Sequence, residues 1–414
     1  MTNIVPFASR KSSHKLKLRI GLLRLTDAAP VIAAHELGLF ADEGLNVELS
    51  IEPSWANIAD KLAYGFLDAA VIVPPLAFAI TLGLRGTMRR LIIPLSLNLG
   101  GNTVTLETSL AESVSPGAEA NREALTAAQA LSKLLADRSG KRPTFGVVHA
   151  FSTHNLLLRY WLAAGGINPD RDVALTVVPP ARMVEALEKG QIAGFCAGAP
   201  WGAVAERKGL AKTITTSHGI WRNAPEKVLA FCESWADQNP ETLQSALRAL
   251  LRATRFCDEP ENAPMIAALL SEPRYLGVEA DLITTSLPTG RSAADSGAHS
   301  RASIFFRNAA NFPWRSHALW FLREMKRWGF LRGGLDLRAV AASVYRPDLY
   351  TQAAMALKIS APLSDLKTEG EHAGPWQVAG TLGPIAMNAD RFCDGLVFDP
   401  AASVETPQQC AVPR

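Results

Sequence analysis

Apolar positions along this chain alternate between two periods, and the alternation is regular over the first half. Leu16–Leu25 is a β-rich run, and Pro30–Ala41 follows at helical spacing with Gly44 in the next turn. Asn46–Ile51 alternates apolar and polar, as a half-buried strand does. Ser54–Tyr64 returns to helical spacing, and Ser54 suits the cap position. Ala69–Val73 and Leu91–Leu97 are short apolar strands. A loop is expected over Ala111–Ala120, where Ala, Glu, Pro and Gly gather.

A second series follows. Ala124–Ala136, Ser152–Ala163, Ala181–Lys189 and a stretch from Pro200 predict helices, with Ser152 or Thr153 as the cap of the second. Thr144–Val148, Val173–Val178, Ile192–Cys196, Lys212–Thr216 and Lys227–Phe231 predict strands. Beyond Glu233 the spacing turns helical through Leu243–Thr254, Ala263–Leu270 and Trp314–Trp328. Gly290–His299 reads as a loop, and the chain from Ala361 reads as extended.

Strand–helix alternation of this kind predicts an α/β protein with mixed, mostly parallel sheets. Two such series in one chain predict two lobes joined by a hinge, the form of a two-lobed binding protein. The expected division is an N-terminal tail at 1–16, a first lobe at 17–100 and 223–360, a second lobe at 101–222, and an extended C-terminal segment at 361–414.

Composition narrows the function more than the fold. The 414 residues are 48% apolar and 20% charged, with a net charge of +3, an ordinary globular balance that argues against a nucleic-acid surface. The longest uncharged apolar run, Ala69–Leu84, is too short for a membrane span and is broken by Pro74 and Pro75. Cys196, Cys232, Cys257, Cys393 and Cys410 are odd in number and include no CxxC pair, so neither a disulfide framework nor a metal site is expected. Met1–Leu16 places its basic residues after an interrupted apolar stretch. That order does not fit a secretory signal, and a cytoplasmic location is the expectation.

In open α/β sheets ligands bind beyond the carboxyl ends of strands, where helix N-termini offer unpaired N–H donors. The turns to examine are Pro53-Ser54-Trp55, His149–His154, Gly198-Ala199-Pro200-Trp201, Lys227 after Pro225, and the Asn98–Asn102 crossing. Taken singly, each has an ordinary structural reading: tryptophans such as Trp55 and Trp201 pack cores, His154 can cap a helix, Gly100 and Gly198 can serve turns. Together they suit a small planar anion. Lysine brings charge and three donors, histidine another direction, glycine a close backbone approach, and an indole a flat cover.

The segments that carry these residues resemble a known family. They are Thr-Asp-Ala-Ala-Pro (26–30), Gly-Leu-Phe-Ala-Asp-Glu-Gly-Leu (38–45), Ser-Trp (54–55), Leu-Arg-Tyr-Trp-Leu-Ala-Ala-Gly-Gly-Ile-Asn-Pro (158–169), Gly-Phe-Cys-Ala-Gly-Ala-Pro-Trp (194–201) and Arg-Phe-Cys-Asp-Gly-Leu-Val-Phe-Asp-Pro (391–400). Their order resembles the nitrate- and bicarbonate-binding proteins of bacterial ABC transporters, and within them the NasS-type nitrate sensors. The resemblance implies the two-lobed fold of type II periplasmic binding proteins and an anion site at Trp55, His154, Gly198 and Lys227, with Gly100 aligned at the lobe crossing and Asn102 as its substitute. It implies nitrate or nitrite as ligand, with Lys227 favouring nitrate over bicarbonate, and no cofactor. It further implies control of a NasT-type RNA-binding antiterminator. The alternative is the solute-binding component of a nitrate or bicarbonate transporter. The fold also resembles a thiamine-pyrimidine synthase family, whose cysteine-rich motif the scattered cysteines do not supply; no enzyme activity is expected.

Overall fold

A computed structural model of the chain describes residues 17–115, 123–137, 142–289 and 300–402. The expected tail at 1–16 and loop at 290–299 lie outside the described residues.

Lys17–Leu22 is β1, and a 3-10 turn over Thr26–Ala28 leads into α1, Ala29–Glu36. Gly38 takes φ +74° and ends that helix, so the expected Pro30–Ala41 helix divides into α1 and the short α2, Leu39–Asp42. Asn46–Ile51 is β2 and Trp55–Ala63 is α3, whose first turn Ser54 caps by accepting from the Asn57 N–H. Ala69–Ile72 is β3, Pro74–Thr81 is α4 and Leu91–Ser96 is β4. Pro74 and Pro75 fall in the first turn of α4, where a missing N–H costs nothing.

The chain then crosses through β5 (Leu99–Gly100) into β6 (Asn102–Glu107). The helix α5, Thr108–Val114, takes in the first four residues of the expected Ala111–Ala120 loop, of which 116–120 lie outside the described residues. Its Leu110, Ala111 and Val114 are buried on one stripe, and that burial outweighs the turn-like composition. The second lobe continues with α6 (Ala124–Ala136), β7 (Thr144–Val147), α7 (Thr153–Ala164), β8 (Ala174–Val177), α8 (Met183–Glu188), β9 (Gly194–Gly198), α9 (Trp201–Arg207) and β10 (Ala211–Thr216). The return strand is β11, Val228–Cys232.

Two five-stranded sheets result, in the orders β2-β1-β3-β11-β4 and β10-β6-β9-β7-β8. They are mixed, but parallel pairing does not dominate as expected. Each sheet has two parallel and two antiparallel pairings, because β11 and β6 run against their neighbours. The reason is the crossing itself. Strands such as β1, β3, β7 and β9 end at the interface between the sheets, whereas a strand that has just crossed begins there and runs away from it. The register shows this: Asn102 at the start of β6 pairs with Gly198 at the end of β9, and Val228 at the start of β11 pairs with Ile72 at the end of β3.

Both faces of the first sheet are covered. Ala70, Ile72, Ala230 and Cys232 enter one large apolar cluster, while Ala69, Val71, Leu229 and Phe231 enter the other with the helix Pro240–Asp258. The described part of the C-terminal segment is not merely laid over the surface. It forms a short hairpin, Trp376–Val378 against Ile385–Met387, and it buries Glu369 and Asp390.

Candidate anion-binding site

The topology delivers six side chains to one place. Asp27 follows the carboxyl end of β1, Trp55 follows β2, and His154 opens α7 after β7. Asn102 heads β6, and Glu226 and Lys227 immediately precede β11. All six are almost completely buried. A backbone bond joins the lobes beside them, the Thr26 N–H donating to the Ala199 carbonyl at 3.0 Å.

Lys227 is the centre. Its Nζ lies 2.8 Å from Asp27 Oδ2, 2.5 Å from Glu226 Oε1 and 5.4 Å from the Trp55 ring centroid. Burial works against its charge, but Asp27 and Glu226 outweigh burial and hold the ammonium above its ordinary value. Burial pushes both carboxyl groups up, with Lys227 opposing it. His154 Nε2 stands 3.6 Å from Glu226 Oε1, beyond hydrogen-bond range. Burial first and Lys227 second hold that imidazole well below its ordinary value, so it is neutral and offers one donor and one acceptor.

Several polar atoms here have no hydrogen-bond partner among the described residues. They are Trp55 Nε1, Thr153 Oγ1, both ring nitrogens of His154, Asp27 Oδ1 and Asn102 Oδ1. Buried polar atoms are almost always paired, because an unpaired one costs about 1–3 kcal/mol. A concentration of them around one buried cation is the mark of a polar ligand's seat.

Gly198 belongs to this cluster. A Cβ there would lie 3.3 Å from Asp27 Oδ2 and 3.5 Å from Asn102 Oδ1, so glycine keeps the backbone close to both. It sits at the end of β9 rather than in the turn beyond the expected Ile192–Cys196 strand. Gly100 does not take part. Its N–H donates to the Ala224 carbonyl, and at φ +75° a Cβ would stand 2.2 Å from His218 Nε2. Its glycine is needed to admit His218 at the crossing, and its donor is already used. Asn102, weighed as its substitute, is the crossing residue in the cluster, with Nδ2 donating to Glu226 Oε2 at 2.8 Å.

Asp27 and Glu226 were not among the residues singled out from the sequence. The available signal was position: Asp27 lies in a strand-to-helix turn, and Glu226 directly precedes Lys227 and an apolar strand. Trp201 is buried with its indole N–H unpartnered. Outside the cluster, a cleft of about 460 Å³ separates Arg24, Ser54 and Asn57 of the first lobe from Pro179–Arg182 of the second.

Comparison with known proteins gives the family and the fold. A family model described as the NMT1-like family matches residues 11–271. The nitrate/nitrite binding protein NrtA of Synechococcus elongatus is 33% identical over 405 residues, covering 94% of this chain and 84% of that protein. The nitrate import ATP-binding protein NrtC of a Synechocystis is 36% identical over 395 residues, or 94% of this chain. This chain spans only about half, 54%, of that relative's length. The crystal structure of the periplasmic nitrate-binding protein NrtA from Synechocystis superposes with a TM-score of 0.79 at 28% identity, covering 94% of this chain and 96% of that one.

Proposed function

The chain belongs to the NMT1-like family, among relatives that include the nitrate/nitrite binding protein NrtA, and from that premise we propose that it is a receptor for nitrate or nitrite. The anion sits between two lobes, which we assign to 17–100 with 223–360 and to 101–222. The observation that carries this reading is the buried Lys227 ringed by the unpartnered donors of Trp55, Thr153 and His154. In the bound state Lys227 supplies charge, the Trp55 indole and the His154 imidazole donate N–H groups, and Gly198 and Asn102 line the near wall.

Nitrate has four heavy atoms. At about 1.5 kcal/mol per atom for the best small ligands, affinity reaches about 6 kcal/mol, a Kd of tens of micromolar. Few contacts can be lost before binding becomes useless. A thermal-shift screen of nitrate, nitrite, bicarbonate, sulfate and an alkanesulfonate tests the reading, since a ligand of the native state raises its stability. Stabilisation by nitrate or nitrite above the others is expected. Stabilisation by none of them, or by the sulfonate alone, contradicts it.

Two uses of such a receptor follow. Delivery to an importer is favoured by the relatives, whose names describe nitrate binding and nitrate import. The other use is sensing: a cytoplasmic receptor of NasS type whose lobe closure on nitrate changes its hold on a NasT-type RNA-binding antiterminator. Nitrate then acts by population shift, binding one lobe arrangement better than the other. Cell fractionation separates the two uses. A periplasmic protein supports delivery, and a cytoplasmic one that releases an RNA-binding partner on addition of nitrate supports sensing.

A further inference from the structure

The binding cluster holds one buried cation and two buried carboxyl groups, an arrangement opposite to what a receptor for an anion needs. With Lys227, Asp27 and Glu226 all ionised, the trio carries a net negative charge before any anion arrives. His154 does not correct it, being held neutral by burial and by Lys227. Cys196, on β9 within electrostatic reach of Glu226 and Lys227, is a buried thiol pushed up by burial and adds no positive charge. Arg24, close in sequence to Asp27, is turned away, donating to the Pro273 and Tyr275 carbonyls. An anion entering this cluster meets repulsion that Lys227 alone does not cancel.

The two carboxyl groups are not equivalent. Glu226 is fully engaged as a carboxylate: Oε1 accepts from Lys227 at 2.5 Å and Oε2 from Asn102 Nδ2 at 2.8 Å. Asp27 has only half its capacity in use. Its Oδ2 lies 2.8 Å from Lys227 Nζ, while its Oδ1, buried, has no partner among the described residues. A proton on Oδ1 leaves the contact to Lys227 intact and converts an unpartnered acceptor into a donor. A proton on Glu226 breaks one of two existing bonds.

Resting on the receptor reading above, we propose that the oxyanion enters with one proton, taken from solvent and held on Asp27 Oδ1, so that Asp27 is a ligand-contacting residue that donates an O–H to the bound anion. No bond of the anion itself is made or broken. With the proton the trio is neutral, and the cluster with its anion carries the single charge of the ligand rather than two. Burial pushes the Asp27 carboxyl upward against Lys227, the direction that favours holding that proton.

The consequence is a receptor that reads anion and acidity together. Through the range in which free Asp27 is ionised and the bound form is protonated, affinity falls tenfold for each unit of rising pH, by linkage. At lower pH, where free Asp27 already holds its proton, affinity levels off.

Calorimetric titration of the full chain with sodium nitrate tests this, run between pH 6 and 9 in phosphate and in Tris, whose ionisation heats differ widely. The expected result is an uptake that rises with pH toward one proton per anion, with a parallel loss of affinity. Asp27→Asn supplies a permanent N–H donor, so its affinity should be flat over the same range, with no proton exchanged. Its fold is checked by its melting temperature. Nitrate binding by the wild-type chain with no proton uptake and constant affinity overturns the proposal and leaves the receptor reading standing. A wild-type pH slope that persists in Asp27→Asn also overturns the assignment to Asp27. No binding of nitrate at any pH overturns both.

Discussion

Two places in this molecule are built from the same parts and behave differently. Between the lobes, Lys227 lies 5.4 Å from the Trp55 ring centroid, beside Glu226, with His154 next to it. Where the C-terminal segment docks on the helix Arg315–Arg327, Lys367 lies 5.5 Å from the Trp314 ring centroid, paired with Glu369, with His317 next to it. In the second place one carboxylate pairs directly with the lysine, the nearby Asp390 being engaged by His372, and the remaining capacity of Glu369 is used: Ser316 donates to Glu369 Oε1 at 2.7 Å, and His317 Nε2 lies 3.4 Å from that oxygen. Burial opposes the charge on Glu369, yet Lys367 and then His317 bring it down to about 2. In the first place a second carboxyl group, Asp27, reaches the lysine directly, both acids are pushed up, and polar atoms of Trp55, Thr153, His154, Asp27 and Asn102 stand without partners among the described residues. A buried ion pair whose carboxylate is satisfied is a clasp, even though its neighbour His317 leaves one ring nitrogen, Nδ1, without a partner among the described residues. The same pair with one charge too many and with unpaired donors is a seat for something else.

Deleting the cation at each place should separate the two roles most sharply. Lys227→Ala leaves two buried acids uncompensated, and removing one partner of a buried pair costs about 3–5 kcal/mol of stability. Nitrate affinity should be lost as well, measured by calorimetry on the folded fraction. Glu369→Gln attacks the clasp alone. Its carboxyl is held below the ordinary value, so it contributes stability above the unfolded value near 4.5, and that contribution is lost as pH falls through about 2. The shift corresponds to about 3 kcal/mol at neutral pH. Glu369→Gln should therefore lower the unfolding free energy near pH 7, read from a denaturant titration, by that amount while nitrate affinity stays within about twofold.

Smaller changes sharpen the first place. Trp55→Phe keeps the apolar ring but removes an indole N–H that has no partner among the described residues. Stability should hold, and affinity should fall about tenfold, the worth of one charge-assisted bond. Gly198→Ala is gentler still. Its Cβ meets Asp27 Oδ2 at 3.3 Å and Leu25 at 3.4 Å, a crowding that small shifts relieve. A severalfold loss of affinity with little change in melting temperature is expected.

Much of the scaffold was legible in the sequence because its strands are short apolar runs between clear turn signals. Asn46–Ile51 and Ala124–Ala136 match the elements expected there residue for residue. The strand Asn102–Glu107 was missed because its Thr-rich alternation, Asn-Thr-Val-Thr-Leu-Glu, lacks the apolar density of its neighbours. Its Thr103 and Thr105 are buried where α9 brings Gly202 against them. The cluster was legible in Trp55, His154, Gly198 and Lys227 as positions, through strand-to-helix turns and family resemblance. Its electrostatics were not. Whether Asp27 and Glu226 face Lys227 or solvent depends on how β1 and β11 enter one sheet, and no local pattern records that. Gly100 failed for the same reason, its partner His218 lying more than a hundred residues away.

The central claim is that the cluster around Lys227, and not the clasp around Lys367, seats a small oxyanion. It is tested most directly by titrating nitrate into the wild-type chain, Lys227→Ala and Glu369→Gln under one buffer near pH 6.5, each confirmed folded. The account predicts one saturable site of about tens of micromolar in the wild type and in Glu369→Gln, and none in Lys227→Ala. Equal affinity in the wild type and Lys227→Ala, or loss of binding in Glu369→Gln alone, would contradict it.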